Sequence, residues 1–316
     1  MNSIKFSIVI PTYNMSTFIL ESIESCIKQT YKNFEVIIID NNSIDNTEEI
    51  LKPFLTSNIY YYKNKTNIGA INNFNLAIEL SKGDYIKFLE ADDFLSINCL
   101  EVLEKKIKLN SFPDMIATGR YYINSNSKVY SSFSVKKQLF FSKIYSNLRI
   151  LVFGNEFGTP SDIVVKSTVF NDNFKFDTTY IDYLNDWDLW IRIARSHNVL
   201  IINDKLCYVR RHDSQMGNTG AITNRDVEVN YRMIKKLLKP YSLSFFLILL
   251  KSLSYFLYRS SLKFLKQQNN FSSIIDIFKK TIQHFTFFQL LILLSTFPFL
   301  LLIIYFLKFY YSCLKK

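Results

Sequence analysis

Residues 69–93 read GAINNFNLAIELSKGDYIKFLEADD, and this stretch decides the fold class. Its first half has the pattern of a helix over residues 69–80, and its second half holds a short apolar run at residues 85–89. Carboxylates follow that run at once, in residues 90–93. A helix that leads into a buried strand is the repeating unit of α/β proteins, whose ligands bind beyond the carboxyl ends of the strands. The stretch therefore predicts an α/β fold with a functional site at its acidic end.

The same alternation extends towards the N-terminus. Short apolar runs there are each followed by a stretch with helical spacing, which is typical of strands that are buried on both faces. We therefore predict a mostly parallel, doubly wound central sheet flanked by helices, with strand ends at residues 11–14 and 40–45 beside the acidic loop. The predicted strands are residues 6–10, 35–39 and 59–62, and the predicted helices are residues 16–29 and 47–55.

Residues 96–173 are less regular. Within them, the pattern predicts a strand pair at residues 115–122 and 128–133, joined by a polar turn. Beyond them, it predicts a helix over residues 186–196 and a strand over residues 199–208.

The net charge of +11 resides entirely in the C-terminal part. Residues 1–224 hold 24 basic and 24 acidic side chains, whereas residues 225–316 hold 14 and 3. Basic side chains mixed with long Phe, Leu and Ile runs fit an anionic membrane surface better than nucleic acid, and a solvated basic helix is the alternative. We therefore predict an α/β domain at residues 1–224 and a helical membrane-association region at residues 225–316.

Two apolar segments lie in this basic region. Residues 285–307 carry no formal charge over 23 positions, enough for a helix to cross a hydrocarbon core of about 30 Å. Residues 242–258 are apolar around Lys251 and are expected to lie in the membrane interface or to insert. Two inserted segments would place both termini on one side of the membrane. A buried helical hairpin in a soluble dimer is the alternative, and the number of spans stays open.

Carboxylates cluster at three places near the predicted sheet edge. Asp40 ends one strand, residues 90–93 follow another, and Asp186 and Asp188 open a helix. A single such carboxylate is usually a helix cap, but three clusters at one edge repel each other, and a divalent cation relieves that repulsion. The pattern therefore favours a Mg²⁺ or Mn²⁺ site. The glycine motifs of P-loop and dinucleotide sites are absent from the sequence.

Transfer of a sugar from a nucleotide would account for this set of acids. A nucleoside diphosphate is a good leaving group only when its charge is neutralised, and Mg²⁺ or Mn²⁺ does this with few protein contacts. Glu90 and Asp92 fit a pair that places one carboxylate on the cation and one near the ribose. A further carboxylate must accept the proton of the acceptor hydroxyl, and Asp186 fits that role.

Five blocks of sequence carry a specific resemblance, which rests on their order and covers residues 4–215. They resemble the blocks of glycosyltransferase family 2, in particular those of bacterial members that build O-antigen or capsular polysaccharide. The blocks are FSIVIPTYN (residues 6–14), IIIDNNSIDNT (37–47), NIGAINNFNLAIELSKGDYIKFLEADD (67–93), NDWDLWIRIA (185–194) and YVRRHDSQ (208–215).

The resemblance implies a GT-A fold and a role for each matching residue. Asp92 would bind the metal, and Asp186 would be the catalytic base. His212 would contact the metal or the diphosphate, with an ordinary loop histidine as the alternative. The other residues would hold the donor: Pro11, Thr12 and Tyr13 around the nucleotide base, Asp40 as acceptor for the base, Asn67 and Gly69 in a loop close to the donor, Glu90 at the first acidic position of the DxD motif, and Arg211 beside the phosphates.

Two positions depart from the family pattern. Glu90 stands where the motif usually has Asp, and Asn185 stands where Glu commonly precedes the base. Since neither change removes the metal ligand or the base, we expect an active enzyme. The alternative is a non-catalytic membrane-surface protein that binds a nucleotide-sugar or lipid on a degenerate transferase fold.

The resemblance further implies an inverting, Mn²⁺- or Mg²⁺-dependent reaction. The donor would be a UDP-sugar, or secondly a dTDP-sugar, and the acceptor a saccharide on a polyprenyl diphosphate. Such an acceptor implies a place at the bacterial inner membrane, with the catalytic domain on the cytoplasmic face. A processive polysaccharide synthase is not expected, because the QxxRW-type motif of those synthases is absent.

Overall fold

A computed structural model describes residues 3–141, 157–178 and 185–212 of the 316-residue chain. The membrane-association region predicted for residues 225–316, with its segments 242–258 and 285–307, lies outside the described residues and stays a prediction. Among the residues described, no helix is both long enough and apolar enough to cross a membrane.

Four parallel strands form the N-terminal half of the sheet. β1 lies between β2 and β4, and β3 pairs with the outer edge of β2. Every residue of β2 is buried, which explains its apolar run VIII at residues 36–39. The parallel arrangement predicted for this half is confirmed. The strands are β1 (Phe6–Thr12), β2 (Phe34–Asp40), β3 (Ile59–Lys63) and β4 (Tyr85–Phe88).

Helices connect these strands, as parallel pairing requires. They are α1 (Ile19–Ile27), α2 (Thr47–Leu51), which a 3₁₀ turn continues, and α3 (Ala70–Leu80). Of the apolar positions that gave the helical spacing, Ile19 and Ile23 are fully buried in the core, Phe18 is half-buried, and Ile27 is exposed. The helix pattern was therefore correct in kind, although α1 is shorter than the predicted helix at both ends.

The second half of the sheet corrects one prediction. β9 runs antiparallel between β4 and β6, whereas β6 and β10 are parallel, so the described sheet is mixed rather than mostly parallel. A run as short as IVVK fits either direction, and only its pairing decides which is adopted. The strands are β5 (Phe94–Leu95), β6 (Met115–Ile123), β7 (Val129–Phe133), β8 (Leu139–Phe141), β9 (Ile163–Lys166) and β10 (Val199–Arg210).

Helices α4 (Cys99–Leu109), α5 (Ser167–Asn171) and α6 (Asn185–Ser196) complete the described elements. The sequence pattern predicted α6 but missed α4. Trp190 of α6 is fully buried, with its ring centroid 5.4 Å from that of Phe88 in β4. This aromatic contact packs α6 against the strand that leads into the acidic loop.

Candidate active site

The acidic loop begins directly after β4. Its backbone is closed by a hydrogen bond from the Asp93 N–H to the Glu90 carbonyl (3.0 Å), and the Glu90 N–H donates to Ser161 Oγ (2.9 Å). Asp92 and Asp93 are 9% and 1% exposed. Burial, followed by the negative charges of Asp93 and Asp92, raises the pKa of Glu90 well above its usual range. A loop that holds two buried acids and one half-buried acid close together is a place where a cation is favoured.

Asp92 contacts His212, the residue two positions beyond β10. Asp92 Oδ2 lies 3.0 Å from His212 Nε2, and both side chains are largely buried. Two ligands that bind one octahedral Mg²⁺ at right angles, each about 2.1 Å away, are themselves about 3 Å apart. The spacing therefore fits a cation held by these two atoms.

Two protein ligands are enough for a cation site in which the bound substrate supplies the remaining ligands. Mg²⁺ in such sites is held by one or two protein groups, and the substrate phosphates fill further positions. Over the described ranges of the chain, no cluster of three or more His, Cys, Asp or Glu side chains forms a protein-only metal site. The residues present therefore fit a nucleotide-completed cation, and metal dependence stays a prediction.

Asp186 lies in the first turn of α6. Its Oδ1 accepts a hydrogen bond from the Trp187 N–H (2.7 Å), and its charge acts on Glu90 across the site. Burial, with a smaller contribution from the negative charge of Asp162, raises the pKa of Asp186 to about 7. A carboxylate that titrates near neutral pH is suited to act as a general base. Asp188, by contrast, forms an ion pair with Arg192 at 2.7 Å within the same helix.

The ends of β1 and β2 form the other part of the sheet edge, where Thr12 and Asp40 are in register. Thr12 is buried, Pro11 is half-buried, and Tyr13 is 42% exposed and so presents the largest accessible surface of the three. Asp40 is fully buried. Its Oδ1 accepts from the Ser43 N–H (2.8 Å), and its Oδ2 accepts from the Tyr61 hydroxyl. These bonds fix the Asp40 carboxylate, and its role towards a nucleotide base stays a prediction.

A network of asparagines, which the sequence patterns did not reveal, holds the loop before α3. Asn41 Nδ2 donates to Asn67 Oδ1 (2.7 Å), and Asn41 Oδ1 accepts from the Ile68 N–H (2.8 Å) and from Asn64 (3.1 Å). Asn67 Oδ1 also accepts from the Gly69 N–H (2.9 Å). The loop is thereby tied to Asn41, the residue that directly follows β2.

Gly69 ends this loop with φ +83° and ψ 153°. This conformation is open almost only to glycine. A Cβ atom at this position would meet nothing within 4 Å, so the requirement comes from the backbone and not from crowding. The prediction that Gly69 lies in a specially shaped loop is consistent with this geometry, and its contact with the donor stays a prediction.

Arg211 directly follows β10. Its side chain is exposed, and its guanidinium carbon lies 5.4 Å from the ring centroid of Tyr122. Its positive charge lowers the pKa of Glu90, although burial outweighs this effect. An exposed guanidinium beside the acids is well placed to meet a phosphate.

Arg210 is a further residue that the sequence patterns missed. It is fully buried, and its Nε donates to the Asp92 carbonyl at 2.8 Å. In the sequence, Arg210 and Arg211 are two consecutive arginines just after a predicted strand, and arginines are mostly exposed in folded proteins. Nothing in the sequence therefore indicated that Arg210 is buried.

Because β1, β2 and β4 are parallel, their carboxyl ends lie at one edge of the sheet. The structure thus brings the acidic loop and its His212 partner to the same edge as Asp40 and the Gly69 loop, and α6 adds Asp186. An edge that carries several acids, one of them with a pKa near neutral, is typical of enzymes that act on charged ligands.

The comparisons with known proteins identify the fold and then the family. The S. aureus TarS 1-349 structure in complex with UDP-GlcNAc has a TM-score of 0.65 at 19% identity, covering 88% of this chain and 81% of that chain. The described domain is therefore a GT-A-like α/β domain. A model of glycosyl transferase family 2 matches residues 7–162.

Two curated relatives agree with this match. An uncharacterised glycosyltransferase of Rickettsia typhi is 30% identical over 240 residues, which cover 74% of this chain and 72% of that protein. The Escherichia coli UDP-Glc:alpha-D-GlcNAc-diphosphoundecaprenol beta-1,3-glucosyltransferase WfgD is 30% identical over 203 residues, which cover 64% of this chain and 75% of that protein. The chain belongs to glycosyltransferase family 2.

Proposed function

We propose that this glycosyltransferase transfers a sugar from a UDP-sugar to a lipid-linked saccharide, with inversion at the anomeric carbon and with Mn²⁺ or Mg²⁺ at Asp92 and His212. The observation that carries the proposal is the contact of these two side chains at 3.0 Å, next to Glu90, on which the charge of the base candidate Asp186 acts. The name of WfgD, which includes UDP-Glc and a diphosphoundecaprenol acceptor, and the UDP-GlcNAc bound by TarS support the choice of donor and acceptor. A dTDP-sugar is the second choice of donor.

The residues divide the chemical work between them. Asp186 accepts the proton of the acceptor hydroxyl while the hydroxyl oxygen attacks the anomeric carbon from the side opposite to the diphosphate, which inverts the configuration. Arg211 meets the phosphates, and the asparagine network with Gly69 holds the loop that faces the donor. A cation, when bound, supplies charge neutralisation to the departing diphosphate. Binding the donor and the acceptor in line for attack further lowers the activation barrier.

We also propose that the enzyme works at the cytoplasmic face of the bacterial inner membrane. The charge excess of residues 225–316 and the uncharged stretch at residues 285–307 support this location. A lipid-linked acceptor is confined to a membrane, so an enzyme bound to the same surface searches for it in two dimensions.

The pH dependence of transfer is expected to report Asp186. Its pKa is raised to about 7, and only the deprotonated form accepts a proton, so kcat/KM should rise with pH and level off above about pH 7. Below that value, the rate should fall about tenfold per pH unit. The measurement is kcat/KM between about pH 5.5 and pH 8.5 at saturating Mn²⁺. A profile that stays flat across this range would show that Asp186 is not the titrating base.

One transfer experiment tests the proposed function as a whole. The full chain is incubated with radiolabelled UDP-sugars and a GlcNAc-diphosphate-lipid in vesicles that contain anionic phospholipid, and the label in the lipid fraction is measured with Mn²⁺ and with EDTA. We expect label transfer from one UDP-sugar, dependence on Mn²⁺, and flotation of the protein with the vesicles. Binding of nucleotide without transfer to any lipid-linked acceptor would instead favour the non-catalytic alternative.

A further inference from the structure

Arg210 supports the acidic loop from its backbone side. It is the last residue of β10 and is fully buried. Its Nε donates to the Asp92 carbonyl (2.8 Å), and its backbone N–H donates to Asp93 Oδ1 (2.8 Å). One residue therefore fixes two consecutive acids of the loop that carries the proposed metal ligand.

The other end of the guanidinium is held by α1 and by the turn between β6 and β7. Nη2 forms an ion pair with Glu21 Oε1 at 3.1 Å, and Nη1 donates to Ser127 Oγ at 2.9 Å. Ser127 Oγ in turn donates to Glu21 Oε2 at 2.6 Å, which closes a triangle of three side chains. The carbonyls of Asn124 and Ser125 accept from Nη1 as well (3.2 Å and 3.0 Å).

The same assembly reaches the second proposed metal ligand. The guanidinium carbon of Arg210 lies 4.6 Å from the ring centroid of Phe18, just before α1. The Phe18 ring lies 5.0 Å from the His212 ring at an interplanar angle of 37°. Arg210 and Phe18 thus contact Asp92 and His212, respectively, but neither residue is itself a proposed ligand of the cation.

We propose that the Glu21–Arg210 ion pair positions the proposed cation ligands Asp92 and His212 for metal binding. Glu21 holds the guanidinium in the one orientation in which Nε meets the Asp92 carbonyl. Loss of the Glu21 charge takes a charged partner from a fully buried arginine, so the orientation of its guanidinium is less firmly fixed. Metal ligands must be held to within about 0.5 Å for full affinity, so a small shift of the loop weakens cation binding. The inference rests on the proposed function of Asp92 and His212.

The chain offers a closely matched control on the same helix. Glu21 and Glu24 both lie on α1, with side chains 43% and 41% exposed. Glu24 pairs with Lys28 at 2.6 Å and not with Arg210. Glu21→Gln and Glu24→Gln therefore remove the same charge from the same helix, and only the first acts on the buried arginine.

The test compares Mn²⁺ binding by the full-length variants in the presence of UDP, measured by the electron paramagnetic resonance signal of free Mn²⁺. Because the Glu21 carboxylate is partly exposed and its ion pair partly screened, we expect Glu21→Gln to raise the half-saturating Mn²⁺ concentration about three- to fivefold. The KM for Mn²⁺ in the transfer reaction should rise in parallel, while kcat at saturating Mn²⁺ stays unchanged. Glu24→Gln should match the wild type in both measurements. Arg210→Lys, which keeps the charge but loses the planar fork, should shift Mn²⁺ binding further in the same direction.

Three results would overturn the proposal. The first is a wild-type Mn²⁺ half-saturation in Glu21→Gln, whatever its melting temperature, which would make the ion pair merely structural. The second is an equal shift in Glu21→Gln and Glu24→Gln, which would indicate a general effect of surface charge. The third is a wild-type protein that binds UDP without any Mn²⁺ dependence, and this result alone would also refute the metal site of the proposed function.

Discussion

Asp186→Asn is expected to lower the rate of sugar transfer at least about 100-fold while leaving the UDP affinity within about twofold of wild type. The substitution keeps the size of the side chain, and the Asn Oδ1 can still accept the hydrogen bond from the Trp187 N–H. It removes the group that takes the proton of the acceptor hydroxyl, and loss of a general base typically lowers the rate about 10²–10⁴-fold. Because Asp186 is a carboxyl group whose pKa burial raises, its replacement by a neutral amide should not destabilise the fold.

The measurements are kcat for transfer, the Kd for UDP by calorimetry, and the melting temperature. Asp188→Asn is the matched control, since Asp188 lies two residues further along α6 and pairs with Arg192. We expect it to lower the melting temperature but to leave kcat within about tenfold of wild type. An Asp186→Asn enzyme with a tenth or more of the wild-type kcat would remove Asp186 from the role of base.

Asp92→Asn is expected to eliminate the dependence of UDP binding on Mn²⁺. A carboxylate bound to a divalent cation contributes both a ligand atom and a full negative charge, and the amide keeps only a weak ligand. Loss of charge neutralisation worth several kcal/mol should lower kcat/KM by about 100-fold or more. His212→Gln should shift Mn²⁺ binding in the same direction, since His212 Nε2 lies 3.0 Å from Asp92 Oδ2.

His197→Gln serves as the control for the histidine variant. His197 follows α6 and lies 3.6 Å from Asp172, in contact with Phe174 and not with the acidic loop. It should leave the Mn²⁺ titration unchanged. If Asp92→Asn retains Mn²⁺-dependent UDP binding at wild-type strength, the cation is bound elsewhere and the metal assignment is wrong.

The parallel half of the fold was accessible from the sequence because its signals are local. The strands that became β1 and β2 contain the short apolar runs IVI and VIII, and strands buried on both faces favour such runs. The acidic clusters were equally visible, since their position after predicted strands follows from the chain alone. Asp186 was visible as a carboxylate that opens a predicted helix, and its role as the base stays a prediction.

The features that escaped prediction depend on contacts between distant parts of the chain. β9 lies antiparallel between β4 and β6, and the run IVVK contains no information on its direction. Arg210 looks like a surface residue in sequence, and only the meeting of α1, the acidic loop and the β6–β7 turn buries it. The asparagine network likewise joins Asn41 to Asn67 across 26 positions of sequence. Local propensity cannot anticipate such pairings.

Nucleotide binding by the full-length chain tests the central claim most directly. The shift in melting temperature is measured with UDP, dTDP, GDP and CDP, each with and without Mn²⁺. A ligand at about 100 times its Kd adds about 2.7 kcal/mol of stability, a shift of roughly 5 °C for a chain of this size. We expect UDP to raise the melting temperature by this amount when Mn²⁺ is present and to leave it unchanged when Mn²⁺ is absent. No shift with any of the four nucleotides, in protein shown by circular dichroism to be folded, would contradict it.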